Sequence, residues 1–295
     1  MKKVGQNSLR AWFLAARPKT LPAALLPVAM ASALAFSHGR FVLRAALCCV
    51  LFATFMQIAA NYINDLYDFL KGTDREDRLG PERACAQGWI SPRAMRRGIF
   101  VALLLAGLFG MALLSMASSP LLLLGMGLLC VVFAFLYTTL LSYCGMGDVL
   151  VWVFFGIVPV AGTYYVQAGQ LNAEVGWMAA ACGLVTDTLL VLNNYRDRDT
   201  DRLSGKRTLI VTLGEPFGRC FYLLQGLAGY ACVAVLAFYG HGWTAVLPLI
   251  YVAAHYFAWR RMVSIFEGRG LNAILGLTSR NMLVFGFLVT LSLLL

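Results

Sequence analysis

The chain has 295 residues, of which 60% are hydrophobic and only 13% charged, and its mean hydropathy is +0.74. A soluble domain carries about 25% charged residues, so the composition excludes an ordinary soluble globule and predicts an all-α, polytopic membrane bundle. The net charge of +10 suggests nucleic acid at first sight, but the placement of the basic residues accounts for it without such a partner.

The chain begins MKKVGQNSLRAWFLAARPKTLPAALLPV, basic and then apolar as a signal peptide is. It lacks a small-residue cleavage site, and Arg17 and Lys19 directly precede the apolar run, so the segment reads as a retained first helix. Windows of about 20 apolar residues are long enough to span a bilayer. They recur at 18–37, 41–63, 98–117, 120–141, 147–167, 175–196, 218–239, 243–262 and 276–295. The expectation is one domain over 1–295, with about nine transmembrane helices around a central cavity. Residues 1–17 form a cytoplasmic arm, and 64–97 and 197–217 form cytoplasmic aspartate-rich loops. With the N-terminus in the cytoplasm, 22 of the 24 Lys and Arg residues fall on that side, and Arg40 and Arg44 alone fall on the other. Such asymmetry fixes orientation in bacterial inner-membrane proteins.

The eight cysteines lie mainly inside apolar runs with no CxxC, and read as small core residues. His38, His241 and His255 are scattered, two of them in outward turns, and no chemistry is assigned to them.

Chemistry enters where polar residues interrupt the apolar runs. At the end of the second run, Gln57, Asn61, Asn64 and Asp68 are spaced +4, +3 and +4, which puts them on one helical face. Asp65 lies beside that stripe. Polar groups in a membrane helix face the bundle interior or a wet cavity, and the helix can break at Gly72-Thr73-Asp74. The sixth run ends alike: Asn193, Asp197 and Asp201 are spaced +4 and +4, with Asn194 adjoining and Asp199 turned to water, before Gly205-Lys206-Arg207. The parallel hints at internal duplication. A single such loop has an ordinary reading, acids balancing arginines in a solvated connection. Two loops with carboxylates at helical spacing, on one side of the membrane, call for a hard divalent cation that takes oxygen ligands and shares them with phosphate. Neighbouring Lys and Arg suit the remaining phosphate charge. The implied ligand is diphosphate at one end and hydrocarbon at the other, a polyprenyl diphosphate.

At these residues the chain resembles the UbiA superfamily of intramembrane aromatic prenyltransferases, which carries two aspartate-rich motifs on the second and sixth of nine helices. The resemblance covers nearly the whole chain. It rests on ARPKTLPAALLPV, NDLYDFLKGTDREDRLGPER, FFGIVPVAGTYYVQAG and NNYRDRDTDRLSGKRTLIVTLG, and it is similar to the naphthoate branch in having Gly72 followed by Asp74. Carried over, Asn64, Asp65, Asp68 and Asp74 form the first motif and Asp197 and Asp201 the second. The resemblance implies Mg²⁺ on Asp68, Asp74, Asp197 and Asp201, and diphosphate gripped by Lys206, Arg207, Lys19 and Arg17, with Lys71 and Arg75 as lesser candidates. Asn61 and Asn193 extend the substrate-facing stripes. In YTTLLSYCGMGDVL, Tyr137 and Asp148 stand at acceptor-binding positions, without the basic residue of 4-hydroxybenzoate enzymes and with aspartate in place of the glutamate of many naphthoate enzymes. Asp187 reads either as a cavity-facing acid or as a buried group bonded to a neighbouring helix.

The activity this implies is transfer of a polyprenyl group to 1,4-dihydroxy-2-naphthoate with decarboxylation. Tyr137, Phe154, Phe155, Tyr164 and Tyr165 are candidates to face the allylic cation. The expected partners are the two substrates and the bilayer, with no protein partner evident. The rivals are another aromatic acceptor within the superfamily, such as 4-hydroxybenzoate, and a transporter with acids near the bilayer midplane.

Overall fold

The computed structural model describes residues 4–72, 80, 82–141 and 144–295, apart from the side chain of Lys19. Asp74 and Arg75 therefore lie outside the described residues, and Lys19 is placed only by its backbone. The described elements are helical: α1 (Leu9–Ala15), α2 (Leu21–Ser37), α3 (Leu43–Leu70), α4 (Pro92–Leu114), α5 (Pro120–Thr139), α6 (Gly147–Val151), α7 (Val158–Ala168), α8 (Ala173–Leu203), α9 (Leu209–Leu213), α10 (Glu215–Ala234), α11 (Leu249–Ile265) and α12 (Leu271–Leu294). A π-helical turn, Trp152–Ile157, joins α6 to α7. Among the described residues, seven helical segments are long and apolar enough to cross a membrane. The first and eighth expected spans correspond to α2 and α11, which have 17 residues each.

The helices close into a ring. Each long helix packs on its successor, α2 on α3, α3 on α4, and so on around through α8, α10 and α11, and α12 returns to α2. Among the described residues there is no strand, and helices pair their backbone groups internally, as the bilayer demands. On α4 the large side chains of Phe100, Val101, Leu104, Leu108 and Met111 are exposed, as are Leu121, Leu128, Leu129 and Val132 on α5. Continuous apolar faces of this kind meet lipid rather than water. Of the seven long apolar segments, α8 is the most deeply buried. At about 1.5 Å per residue its 31 residues run ~46 Å, well beyond the ~30 Å hydrocarbon layer. Close backbone approach seats it against the π turn: a Cβ added to Gly156 would stand 2.5 Å from the Ala179 carbonyl oxygen, so only glycine fits there.

The described members of both aspartate motifs are helical, although 64–97 and 197–217 were expected as loops. The last two turns of α3 carry Asn64, Asp65 and Asp68, and those of α8 carry Asp197 and Asp201. Neither stretch holds a helix breaker before Gly72 or Gly205, so polarity alone does not end the helix. At the end of α8, Gly205 takes φ +75. The Lys206 N–H then reaches back to the Asp201 carbonyl at 2.9 Å, a 6→1 bond that closes the helix C-terminus.

Candidate active site

A cavity of about 1840 Å³ runs inside the ring and is lined by residues of α2 to α8 and α12. Its chemistry is sharply divided. At the end where α3 and α8 terminate, the lining includes Asn64, Asp68, Asn193, Asn194, Asp197 and Asp201. The remaining lining is mostly apolar, with Phe52, Met56, Phe133, Phe154, Phe155 and Leu189 among the walls and Gln57, Thr163, Ser279 and Arg280 interrupting them. Leu104, Leu108, Met111 and Leu128 both line it and are exposed, so the apolar part is open along α4 and α5.

Each lining carboxylate has a cation. Asp68 Oδ2 is 3.0 Å from Arg83 Nη2. Asp197 accepts from Arg196 Nε at 2.7 Å and Nη2 at 2.6 Å, a bidentate pair. The Lys206 ammonium is 3.4 Å from Asp201 Oδ1, held there by the turn its own backbone closes. Arg196 also donates to Asn272 Oδ1 at 2.8 Å, which ties the start of α12 to the site. Asn64 accepts from the Thr138 hydroxyl of α5. Arg17 lines the cavity from a left-handed backbone conformation, φ 51 and ψ 68. Strain of this kind in a non-glycine residue collects at functional sites.

Several expected site residues are turned elsewhere. Asp65 is 1% exposed and does not line the cavity. Its oxygens accept from the backbone N–H of Ala84 and Cys85 at 2.9 and 2.8 Å, with Arg17 at 4.0 Å. In this position it ties the connection between α3 and α4, away from the cavity where substrate binding was expected of it. Asn61 likewise donates to the Ala16 carbonyl and the Thr20 hydroxyl at 2.9 and 3.0 Å, anchoring the N-terminal arm rather than facing the cavity between Gln57 and Asn64. Arg207 is exposed and outside the lining, because the turn that brings Lys206 inward points the next residue away. Lys71 donates to the Thr138 and Thr139 carbonyls, closing the end of α5.

Tyr137, Phe154 and Phe155 line the cavity. Tyr164 is bonded to His38 and Tyr165 to Ser118, so both sit at the opposite end and neither faces the cavity. Asp148 is 4% exposed and lines a side pocket of about 60 Å³ with Tyr137, Asn194, Asp201, Lys206 and Thr208. Asp187 is fully buried and accepts from Gln225 Nε2 of α10 at 2.6 Å, the second of its two readings. Missing from the sequence reading are Arg83, Arg196, Asn272 and Arg280, all of which line the cavity. Arg280 carried a signal, being a lone cation in the apolar run of α12.

The sequence profile of the UbiA prenyltransferase family matches residues 24–272, and the chain belongs to that family. With its long apolar helices it is an integral membrane protein. Over 260 residues it is 36% identical to the 1,4-dihydroxy-2-naphthoate octaprenyltransferase of Escherichia coli, covering 84% of each chain. Over 230 residues it is 38% identical to the enzyme of that name from Mycobacterium tuberculosis, covering 77% of each. The fold is similar to that of a UbiA homolog from Archaeoglobus fulgidus bound to GPP and Mg²⁺, with a TM-score of 0.67 at 18% identity over 95% of this chain and 99% of that one.

Proposed function

We propose that the protein transfers a polyprenyl group from polyprenyl diphosphate to 1,4-dihydroxy-2-naphthoate, releasing diphosphate and CO₂ and giving demethylmenaquinol. The observation that carries this reading is the divided cavity, with paired carboxylates and cations at one end and a long apolar wall at the other. The names of the relatives support the naphthoate acceptor. The charge asymmetry supports nine spans with the N-terminus and the carboxylates on the cytoplasmic side of a bacterial inner membrane.

The donor set fits a hard divalent cation, since Asp68, Asp197, Asp201 and Asn64 offer oxygens only. These residues, with Asp74, would hold Mg²⁺, which when bound neutralises diphosphate charge and improves it as a leaving group. Arg83, Arg196, Lys206 and Arg17 grip the phosphate oxygens in place of their present partners. The apolar walls hold the prenyl chain and keep water from the allylic carbon as its C–O bond breaks, the electron pair leaving with diphosphate. The faces of Tyr137, Phe133 and Phe154 stabilise the cation. The naphthoate would bind where the main cavity meets the side pocket of Tyr137 and Asp148, which share Tyr137, Asn194, Asp201 and Lys206. Its carboxylate-bearing carbon forms the new C–C bond, and loss of CO₂ returns the electrons that restore aromaticity.

A transporter would place its acids near the bilayer midplane, whereas the cavity-lining carboxylates stand on the last turns of α3 and α8. Purified protein given 1,4-dihydroxy-2-naphthoate, a polyprenyl diphosphate and Mg²⁺ is expected to yield the decarboxylated product by mass spectrometry, and none with chelator. Faster turnover of 4-hydroxybenzoate under the same conditions would sink the assignment of the acceptor.

A further inference from the structure

Three side chains that the prenyl-transfer chemistry does not use meet at the other end of the bundle. His38 caps α2, Glu174 lies in the first turn of α8, and His241 sits in the turn between α10 and α11. Their sequence separations carry no metal-ligand pattern. In space, His38 Nε2 and His241 Nε2 both point at Glu174 Oε2, at 3.3 and 3.0 Å. One ligand atom from each of the three residues falls within 4.8 Å of the other two.

We infer that His38, Glu174 and His241 form a zinc-type metal site remote from the aspartates. A tetrahedral Zn²⁺ bonded at ~2.0–2.1 Å to imidazole nitrogen and carboxylate oxygen sets its ligand atoms about 3.3–3.4 Å apart. Both nitrogen–oxygen edges already have nearly that length. Zinc ligands are held by outer hydrogen bonds that fix their orientation, and His38 and Glu174 have them. The Tyr164 hydroxyl is 2.6 Å from His38 Nδ1, which leaves Nε2 aimed inward. Asn172 Nδ2 donates to the other Glu174 oxygen at 3.4 Å. The three side chains are 22%, 12% and 15% exposed, enough to admit an ion and a water as fourth ligand. Two imidazoles and one carboxylate select a transition metal over Mg²⁺, so the site is chemically distinct from the all-oxygen aspartate end. Along α8, Glu174 and Asp197 are 23 residues apart, or ~35 Å at about 1.5 Å per residue. An ion there clips α2, α8 and the α10–α11 turn together and takes no part in prenyl transfer.

The test uses full-length protein in detergent with saturating Mg²⁺, titrated with Zn²⁺, desalted and assayed for metal content and melting temperature. Wild type is expected to retain about one equivalent of Zn²⁺ and to melt higher with it. His38→Gln and His241→Gln, which keep hydrogen-bonding capacity, are expected to lose both the zinc and the shift while keeping Mg²⁺-dependent transferase activity. Co²⁺ loaded into wild type is expected to show the visible bands of a tetrahedral nitrogen–oxygen site, a readout that does not depend on the variants folding. The inference is overturned if wild type retains no Zn²⁺, if either variant retains as much as wild type, or if bound Co²⁺ lacks the tetrahedral spectrum.

Discussion

Lys206 is tied to Asp201 twice: its backbone N–H bonds the Asp201 carbonyl at 2.9 Å, and its ammonium stands 3.4 Å from the Asp201 carboxylate. The helix terminus thus delivers a cation to the acid one turn before it, at the cavity mouth. Replacing Lys206 with Gln keeps the turn and removes the charge. A hydrogen bond to a charged group contributes about 1.5–3 kcal/mol, so KM for the polyprenyl diphosphate should rise ~10–100-fold, with a smaller change in kcat. Steady-state kinetics with varied diphosphate check this.

Asp68 and Arg83 are bonded at 3.0 Å, yet the mechanism separates them when substrate binds. Asp68→Ala is expected to cost at least ~100-fold in kcat/KM, and Arg83→Ala about tenfold, chiefly through diphosphate affinity. The double variant should fall short of the sum of the two losses, because both residues serve one ligand. Strict additivity in that cycle would show that they act independently.

Asp65 acts as a scaffold through its bonds to the Ala84 and Cys85 N–H groups. Asp65→Asn keeps one acceptor oxygen and sets an amide against the second N–H. The expected loss is about 1–3 kcal/mol of stability, seen as a lower melting temperature, with activity per folded molecule nearly unchanged. A hundredfold loss of kcat in protein that melts normally would return Asp65 to the site.

The apolar wall offers a length test. Gly127 lines the cavity, and a Cβ added to it meets no heavy atom within 4 Å. Gly127→Phe should therefore fold and fill the channel. Long-chain polyprenyl diphosphates should lose ~10-fold or more in kcat/KM, on the scale of steric discrimination in apolar pockets, while geranyl diphosphate is little affected. Competition between two chain lengths in one reaction reads this directly.

Asp187 is buried against Gln225 and absent from the cavity lining. Asp187→Asn retains an oxygen to accept from Gln225 and removes a carboxylate from a site that solvates charge poorly. Activity within about twofold of wild type and an unchanged or higher melting temperature are expected, since such buried groups are often replaced at no cost. Loss of transfer in a well-folded variant would make Asp187 a functional acid.

The membrane class, the nine apolar runs and the two carboxylate stripes are legible in the residues alone. Those signals are local: hydrophobic length, the 3.6-residue period and the glycines that end α3 and α8. Asp68, Asp197, Asp201, Asn64 and Lys206 stand out there as well, and all of them line the cavity. Which member of each stripe meets the cavity depends on how the helices pack. Asp65 and Asp68 are three residues apart, about 60° around a helix, and the N-terminal arm and the turn at Ala84 and Cys85 claim Asn61 and Asp65. The cations Arg83 and Arg280 and the group of His38, Glu174 and His241 are likewise products of packing. Periodicity orders directions along one helix, but partners that reach in from other helices are set by how the ring closes.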